Sequence, residues 1–200
     1  MQTSTNIIPL FSSPVYVAVD ETMPDVIDEI EEWEYQNLVG GGLGSQSVEQ
    51  NVLDRLPSIK EFLLPHIREY VHGVMGIDES HRIDSPCSWI NVHQYLEKSG
   101  EHMHRNSMFS GIVYLRTHPN CGNLVFVNNK HDVISPHKTH TNVYNSNQWT
   151  LTPLDGMVVI FPSHLVHYVE NNQDTARRYS LAFNIMIRGD FGNPTSYLTL

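Results

Sequence analysis

The 200-residue chain predicts a mainly β fold: a sandwich of short strands with two or more N-terminal helices packed on one side. Three observations carry this. From Ser88 onward, short β-forming segments follow one another, punctuated by Gly, Pro and Asn. Ahead of them lie two stretches with apolar residues at helical spacing. No internal repeat or low-complexity segment interrupts either part.

Residues 7–19 alternate and end in β-formers, which predicts a strand at Pro14 to Val19. A helix follows, with Pro24 near its first turn, Val26, Ile30 and Trp33 on an apolar stripe, and acids on the other face. The "GGGLG" at 40–44 ends it. That cluster lacks the preceding strand and following Lys-Ser/Thr of a phosphate loop, so it reads as a flexible connection. Ser58-Ile59-Lys60-Glu61 is a capping-box pattern, and Phe62, Leu63, Ile67, Tyr70, Val71 and Val74 continue a second helix that ends by Gly76. Pro65 either kinks this helix or marks its start. Strands are expected at 88–95, 108–116, 123–127, 149–153, 157–161, 165–169 and 178–188. The irregular 128–148 stretch is long for a loop and reads as functional. The expected organisation is one domain over 1–200, helical over about 20–76 and β over about 88–190.

A 40% hydrophobic content is enough for a sizeable core. The net charge of −10, from 12 basic and 22 acidic residues, argues against a phosphate-tracking surface and therefore against duplex nucleic acid as a partner. Eight acids between Asp20 and Glu34 read as a solvated helix face. Cys87 and Cys121 have no metal or disulfide spacing. No apolar run approaches the roughly eighteen residues of a membrane span, and the first residues lack a secretory pattern, so a cytoplasmic protein without a membrane partner is expected. The composition leaves the oligomeric state open. The twelve histidines gather mainly between His93 and His167, a first hint of a metal.

Three short stretches carry candidate chemistry. In "GEHMHRNSMFSGIVYL", His102 and His104 would point to one side of an extended chain with Cα atoms roughly 7 Å apart. That suits chelation, and equally a solvent-facing strand edge. In "GMVVIFPSHLVHYVENN", Leu165, His167 and Val169 share a face, which makes His167 either a core histidine bonded to a backbone carbonyl or a ligand. His164, at the turn, is its exposed rival. In "RRYSLAFNIMIRG", period two sorts Tyr179, Leu181, Phe183 and Ile185 from Arg178, Ser180, Ala182 and Asn184. The second set is either a half-exposed face or a cavity wall on which Arg178 and Ser180 bind a carboxylate. Arg177 faces away.

The order is more specific than any piece: H-x-H, a distal His some sixty residues on, an Arg after ten intervening residues, then Ser two further. With "SGIVYL" at 110–115, "GNLVF" at 122–126, "FPSHLVHYVENN" at 161–172, "RYSLAFN" at 178–184 and the opening "LFSSPVYVA" at 10–18, the chain resembles the 2-oxoglutarate- and Fe(II)-dependent oxygenases, in particular their small phage-type members.

The resemblance implies a double-stranded β-helix, or jelly roll, with iron at its mouth and a phage-encoded protein acting in a host cell. It implies Fe(II) on His102, His104 and His167, and 2-oxoglutarate on Arg178 and Ser180 with Tyr95 on the same carboxylate. Asn91, His93 and Tyr114 become candidate pocket residues. The implied reaction hydroxylates a C–H bond of an unidentified substrate with dioxygen while 2-oxoglutarate becomes succinate and CO2, and the 128–148 segment would serve as a lid. One departure stands out. The family's usual second ligand is a carboxylate, and here His104 takes its place, leaving three neutral imidazoles and one more unit of positive charge. Glu101 would point the opposite way. His131, His137 and His140 read as exposed polar residues. Two other classes stay open: a three-His cupin-type metalloenzyme that does not use 2-oxoglutarate, and a non-catalytic jelly-roll binding or virion module.

Overall fold

A computed structural model describes residues 6–39, 41–128, 134 and 136–200. Thirteen strands make up its two main sheets. They are β1 Tyr16–Val19, β2 Tyr35–Asn37, β3 Gly42–Leu43, β4 Ser45–Ser47, β5 Arg82–Asp84, β6 Ser88–His93, β7 Lys98–His102, β8 Phe109–Arg116, β9 Leu124–Val127, β10 Gln148–Leu151, β11 Met157–Pro162, β12 His167–Val169 and β13 Arg178–Arg188. The helical elements are α1 Ile27–Glu31, α2 Val52–Arg55 and α3 Pro57–Arg68, which runs into a π-helical turn at Glu69–Val74. A hairpin of Asp190–Phe191 with Leu198–Thr199 closes the chain. The fold is mainly β and its sheets are antiparallel. Among the described residues no helix is long and apolar enough to cross a membrane.

The larger sheet has the order β1-β11-β8-β13-β6-β4-β2, with β5 on β13; the smaller has the order β10-β9-β12-β7-β3. Strand alternation divides the core into two layers. Val113, Leu115, Val158, Ile160, Leu181, Phe183 and Ile185 turn to one face of the larger sheet and pack with Ile59, Leu63 and Ile67 of α3. The alternate residues Ile112, Tyr114, Met157, Val159 and Phe161 turn to the other face and meet Leu124, Phe126 and Val169 of the smaller sheet. Central strands buried on both faces need near-continuous apolar sequence, which is why β8, β11 and β13 are so apolar.

The structure departs from the sequence expectations in the first third. The stretch 20–76 is not helical throughout, because β2 and β4 extend the larger sheet from β6. The glycine cluster is no free loop: Gly42 pairs with Ser99 of β7, and at its φ of +121° a Cβ would meet Lys98 O and Gly100 N. Ser58 does not cap α3. The helix starts one residue earlier at Pro57, whose missing N–H needs no partner, and no side chain caps it. Pro65 lies inside the helix, neither its start nor its end.

Gly111 sits opposite Phe183 across β8 and β13, and a Cβ there would run into the Phe183 ring. In an open strand Gly→Ala would be neutral or stabilising. Here Gly111→Ala should destabilise by about 1–3 kcal/mol through overpacking. For a chain of this size that lowers Tm by roughly 2–4 °C per kcal/mol in a thermal denaturation scan.

Candidate metal centre

β7 and β12 pair with His102 opposite His167, which brings the H-x-H segment and the distal histidine together across one ladder. Their rings approach to 4.4 Å between centroids, and His104 lies 5.4 Å from His102 and 5.3 Å from His167. One ring nitrogen from each histidine falls within 4.8 Å of the other two. His102 ends β7, so His104 lies just beyond the ladder.

The outward nitrogens are all engaged. His102 Nδ1 bonds Gly100 O at 2.7 Å, His167 Nδ1 bonds Leu165 O at 2.9 Å, and His104 Nδ1 bonds Asn184 Oδ1 at 2.7 Å. An oxygen acceptor at each Nδ1 makes that nitrogen the N–H donor. Each Nε2 is then left with its lone pair for a metal. Burial pushes the His167 pKa down to about 3, with His102 contributing, and burial also lowers His104 against the opposing effect of Asn184. Neutral imidazoles are what metal ligation requires. The donor set fits a divalent metal.

A cavity of about 500 Å³ between the sheets takes in this cluster together with Arg178, Ser180, Tyr114, Asn91 and His93. Arg178 is 1% exposed, and Nη1 donates to Cys121 O at 2.7 Å and Gly122 O at 3.3 Å. Among the described residues its Nε has no partner, nor do the buried Tyr114 hydroxyl and His93 Nδ1. Among the described residues no carboxylate lines the cavity and none forms an ion pair with Arg178. Burial lowers the Arg178 pKa, with Tyr114 opposing. It raises Tyr114 to about 12, so the phenol keeps its proton to donate. His93 is pushed down to about 2 by burial and then by Arg178. A buried guanidinium with no counter-ion, beside orphaned polar atoms, is costly unless an anion fills the cavity. Arg178, Tyr114 and Ser180 together fit a carboxylate.

Not every candidate reaches the cavity. Tyr95 is 56% exposed and lines a separate groove with Tyr168 and Glu101. β6 ends at His93, and the Gln94–Glu97 turn breaks the period-two face that Tyr95 was expected to share. Tyr114 of β8 stands in the cavity instead. Glu101, His164, His137 and His140 are exposed, and His131 lies outside the described residues, as does part of the 128–148 segment. The described part of that segment contributes nothing to the cavity lining. Sequence reasoning gave no role to Trp89, Gln36, Gln46 or Gln50, all of which line the cavity. The glutamines carried no periodic signal, because β2 and β4 read polar along their length.

A family model described as "Putative 2OG-Fe(II) oxygenase" matches residues 87–184. A search of curated protein sequences returns no match. Solved structures share the fold at low identity. The epimerase SnoN from nogalamycin biosynthesis is 12% identical over 87% of this chain and 76% of its own, with a TM-score of 0.65. A Pseudomonas putida prolyl-4-hydroxylase is 13% identical over 90% and 96%, with a TM-score of 0.59. HygX from Streptomyces hygroscopicus, solved with nickel, 2-oxoglutarate and hygromycin B, is 12% identical over 87% and 83%, with a TM-score of 0.58. The family depends on Fe(II) and 2-oxoglutarate. The stretch similar to the putative 2OG-Fe(II) oxygenases runs from the start of β6 to Asn184 and holds all three clustered histidines and Arg178.

Proposed function

We propose that this chain holds Fe(II) through His102, His104 and His167 and anchors 2-oxoglutarate by a carboxylate on Arg178, with Ser180 and Tyr114 beside it. Dioxygen and a C–H bond of an unidentified substrate complete the reaction, which yields a hydroxylated product, succinate and CO2. The observation that carries this reading is the buried Arg178, without a carboxylate partner among the described residues, in the same cavity as the three clustered histidines. We read the two facing sheets as a double-stranded β-helix and the chain as one functional domain.

Bound there, the metal supplies the activation of dioxygen that couples decarboxylation to substrate oxidation. The chain's own groups bind, orient and exclude water. Arg178 fixes one end of the co-substrate by a charge-assisted contact, and the protonated Tyr114 can donate a second hydrogen bond. Ile112, Val169 and Ala182 give the cavity apolar walls that keep water from the reacting centre.

Three imidazoles would also serve a metal-dependent dioxygenase that does not use 2-oxoglutarate. The missing counter-ion of Arg178 favours the first reading. The test is anaerobic: Fe(II) and 2-oxoglutarate together should give a visible charge-transfer band that neither gives alone. Stoichiometric iron without that band would assign the site to the second class.

A second expected result concerns the phenol. Tyr114→Phe removes one donor and leaves the packing, so the 2-oxoglutarate Kd in the same titration should rise about three- to tenfold, the worth of one hydrogen bond of roughly 0.5–1.5 kcal/mol. An unchanged Kd would leave the orphaned hydroxyl without a role in co-substrate binding.

A further inference from the structure

His102 and His167 are held in a strand ladder, but His104 is not: it follows the last residue of β7. Among the described residues two hydrogen bonds fix it, its backbone N–H to Ser163 O at 3.0 Å and its Nδ1 to Asn184 Oδ1. Asn184 is itself wired in place. It is 8% exposed, its Oδ1 also accepts from Ser110 Oγ at 3.0 Å, and its Nδ2 donates to Cys87 Sγ at 3.1 Å. Ser110 Oγ continues to Ser163 Oγ at 2.7 Å, and Ser163 Oγ to Ser107 Oγ at 2.8 Å. The serine chain thus leads back to the residue whose carbonyl holds the His104 backbone.

We propose that Asn184 is a positioning residue of the metal centre: its side-chain carbonyl fixes His104 as the Nδ1–H tautomer and aims Nε2 at the metal. This rests on the three-histidine reading of the site. The neutral amide has a second consequence. A carboxylate at 184 would make His104 a more basic ligand and restore negative charge to the centre, and Asn184 does neither. β13 therefore serves both halves of the cavity from one face, with Arg178 and Ser180 toward the co-substrate and Asn184 beneath a ligand.

The test uses cobalt(II) alone, read by titration and by its visible d–d spectrum. Asn184→Leu should weaken cobalt about 10- to 100-fold and shift the bands, because His104 loses its orienting acceptor. Asn184→Asp keeps the acceptor and should bind at least as tightly as wild type, with a wild-type band envelope. Ser110→Ala breaks the serine chain but spares the His104 contact and should change affinity less than about threefold. A second measurement needs no metal and survives poor folding of the leucine variant: in wild-type protein, 15N correlations should report His104 as the Nδ1–H tautomer.

The parent reading has its own control in His104→Ala. If that variant loses cobalt while Asn184→Leu binds with wild-type affinity and spectrum, the proposal for Asn184 fails and the three-histidine site stands. Equal weakening by Asp and Leu, or an Nε2–H tautomer, also overturns it. If His104→Ala binds cobalt like wild type, the three-histidine reading itself falls.

Discussion

Arg178→Ala should weaken 2-oxoglutarate binding at least roughly thirty-fold and leave Fe(II) binding intact, since truncating one partner of a buried, hydrogen-bonded charge pair costs about 2–5 kcal/mol. The expectation follows from what surrounds the guanidinium. Two backbone carbonyls use Nη1, Nε has no partner, and none of the described carboxylates reaches it. On the proposed reading a dianionic co-substrate would supply the missing charge. Arg178→Lys separates charge from shape: it keeps one positive charge but loses the planar fork and should recover only part of the affinity. The measurement is anaerobic titration of the charge-transfer band, with iron content determined on each variant. Equal 2-oxoglutarate binding by wild type and Arg178→Ala would reduce the arginine to a clamp on the Cys121–Gly122 turn.

What could be read from the sequence follows from what each strand faces. β8, β11 and β13 are buried on both sides, and their apolar runs announced them. β2, β4 and β7 did not announce themselves, because each reads polar: Tyr-Gln-Asn, Ser-Gln-Ser and Lys-Ser-Gly-Glu-His. Gln36, Gln46, Ser99 and His102 from these strands line the cavity. A strand that borders a polar cavity loses the hydrophobic alternation by which strands are recognised. The elements closest to the chemistry are therefore the ones periodicity reads worst.

The site divides along the same line. Spacing singled out His102, His104, His167, Arg178 and Ser180, and the structure gathers all five around one cavity. Tyr95 was a candidate through the resemblance and was expected on the strand face of Asn91 and His93, but β6 ends at His93 and the turn at 94–97 carries it outward. Tyr114 was a candidate pocket residue through the resemblance alone, because its neighbours Val113 and Leu115 are equally apolar; the pairing of β8 with β13 sets it opposite Ser180, and it lines the cavity. Asn184 was visible as a member of the Arg178 face. Its bond to His104, eighty residues away, depends on tertiary structure and leaves no mark in the sequence.

His167→Ala should abolish metal binding, and thermal stability offers a direct readout. A metal that binds only the folded state stabilises it by about 2.7 kcal/mol at a hundredfold excess over Kd, which for a chain of this length raises Tm by roughly 5–11 °C. His167 is 1% exposed and is the sole ligand candidate contributed by β12; His102 and His104 both come from one short segment. Two neighbouring imidazoles cannot enclose an ion from two sides, so the metal-dependent rise in Tm should vanish in His167→Ala. His164→Ala is the matched control. His164 is exposed at the turn between β11 and β12 and is not a member of the histidine cluster, and its loss should leave the rise unchanged. Metal-free His167→Ala should lose about 1–3 kcal/mol of its own, because the substitution leaves Leu165 O without its donor, so the readout is the metal-dependent rise within each variant. A full metal-dependent rise in His167→Ala, with a lost one in His164→Ala, would move the distal ligand to His164. A full rise in both would separate the metal from β12 altogether and leave the bond between His167 and Leu165 as the histidine's whole role.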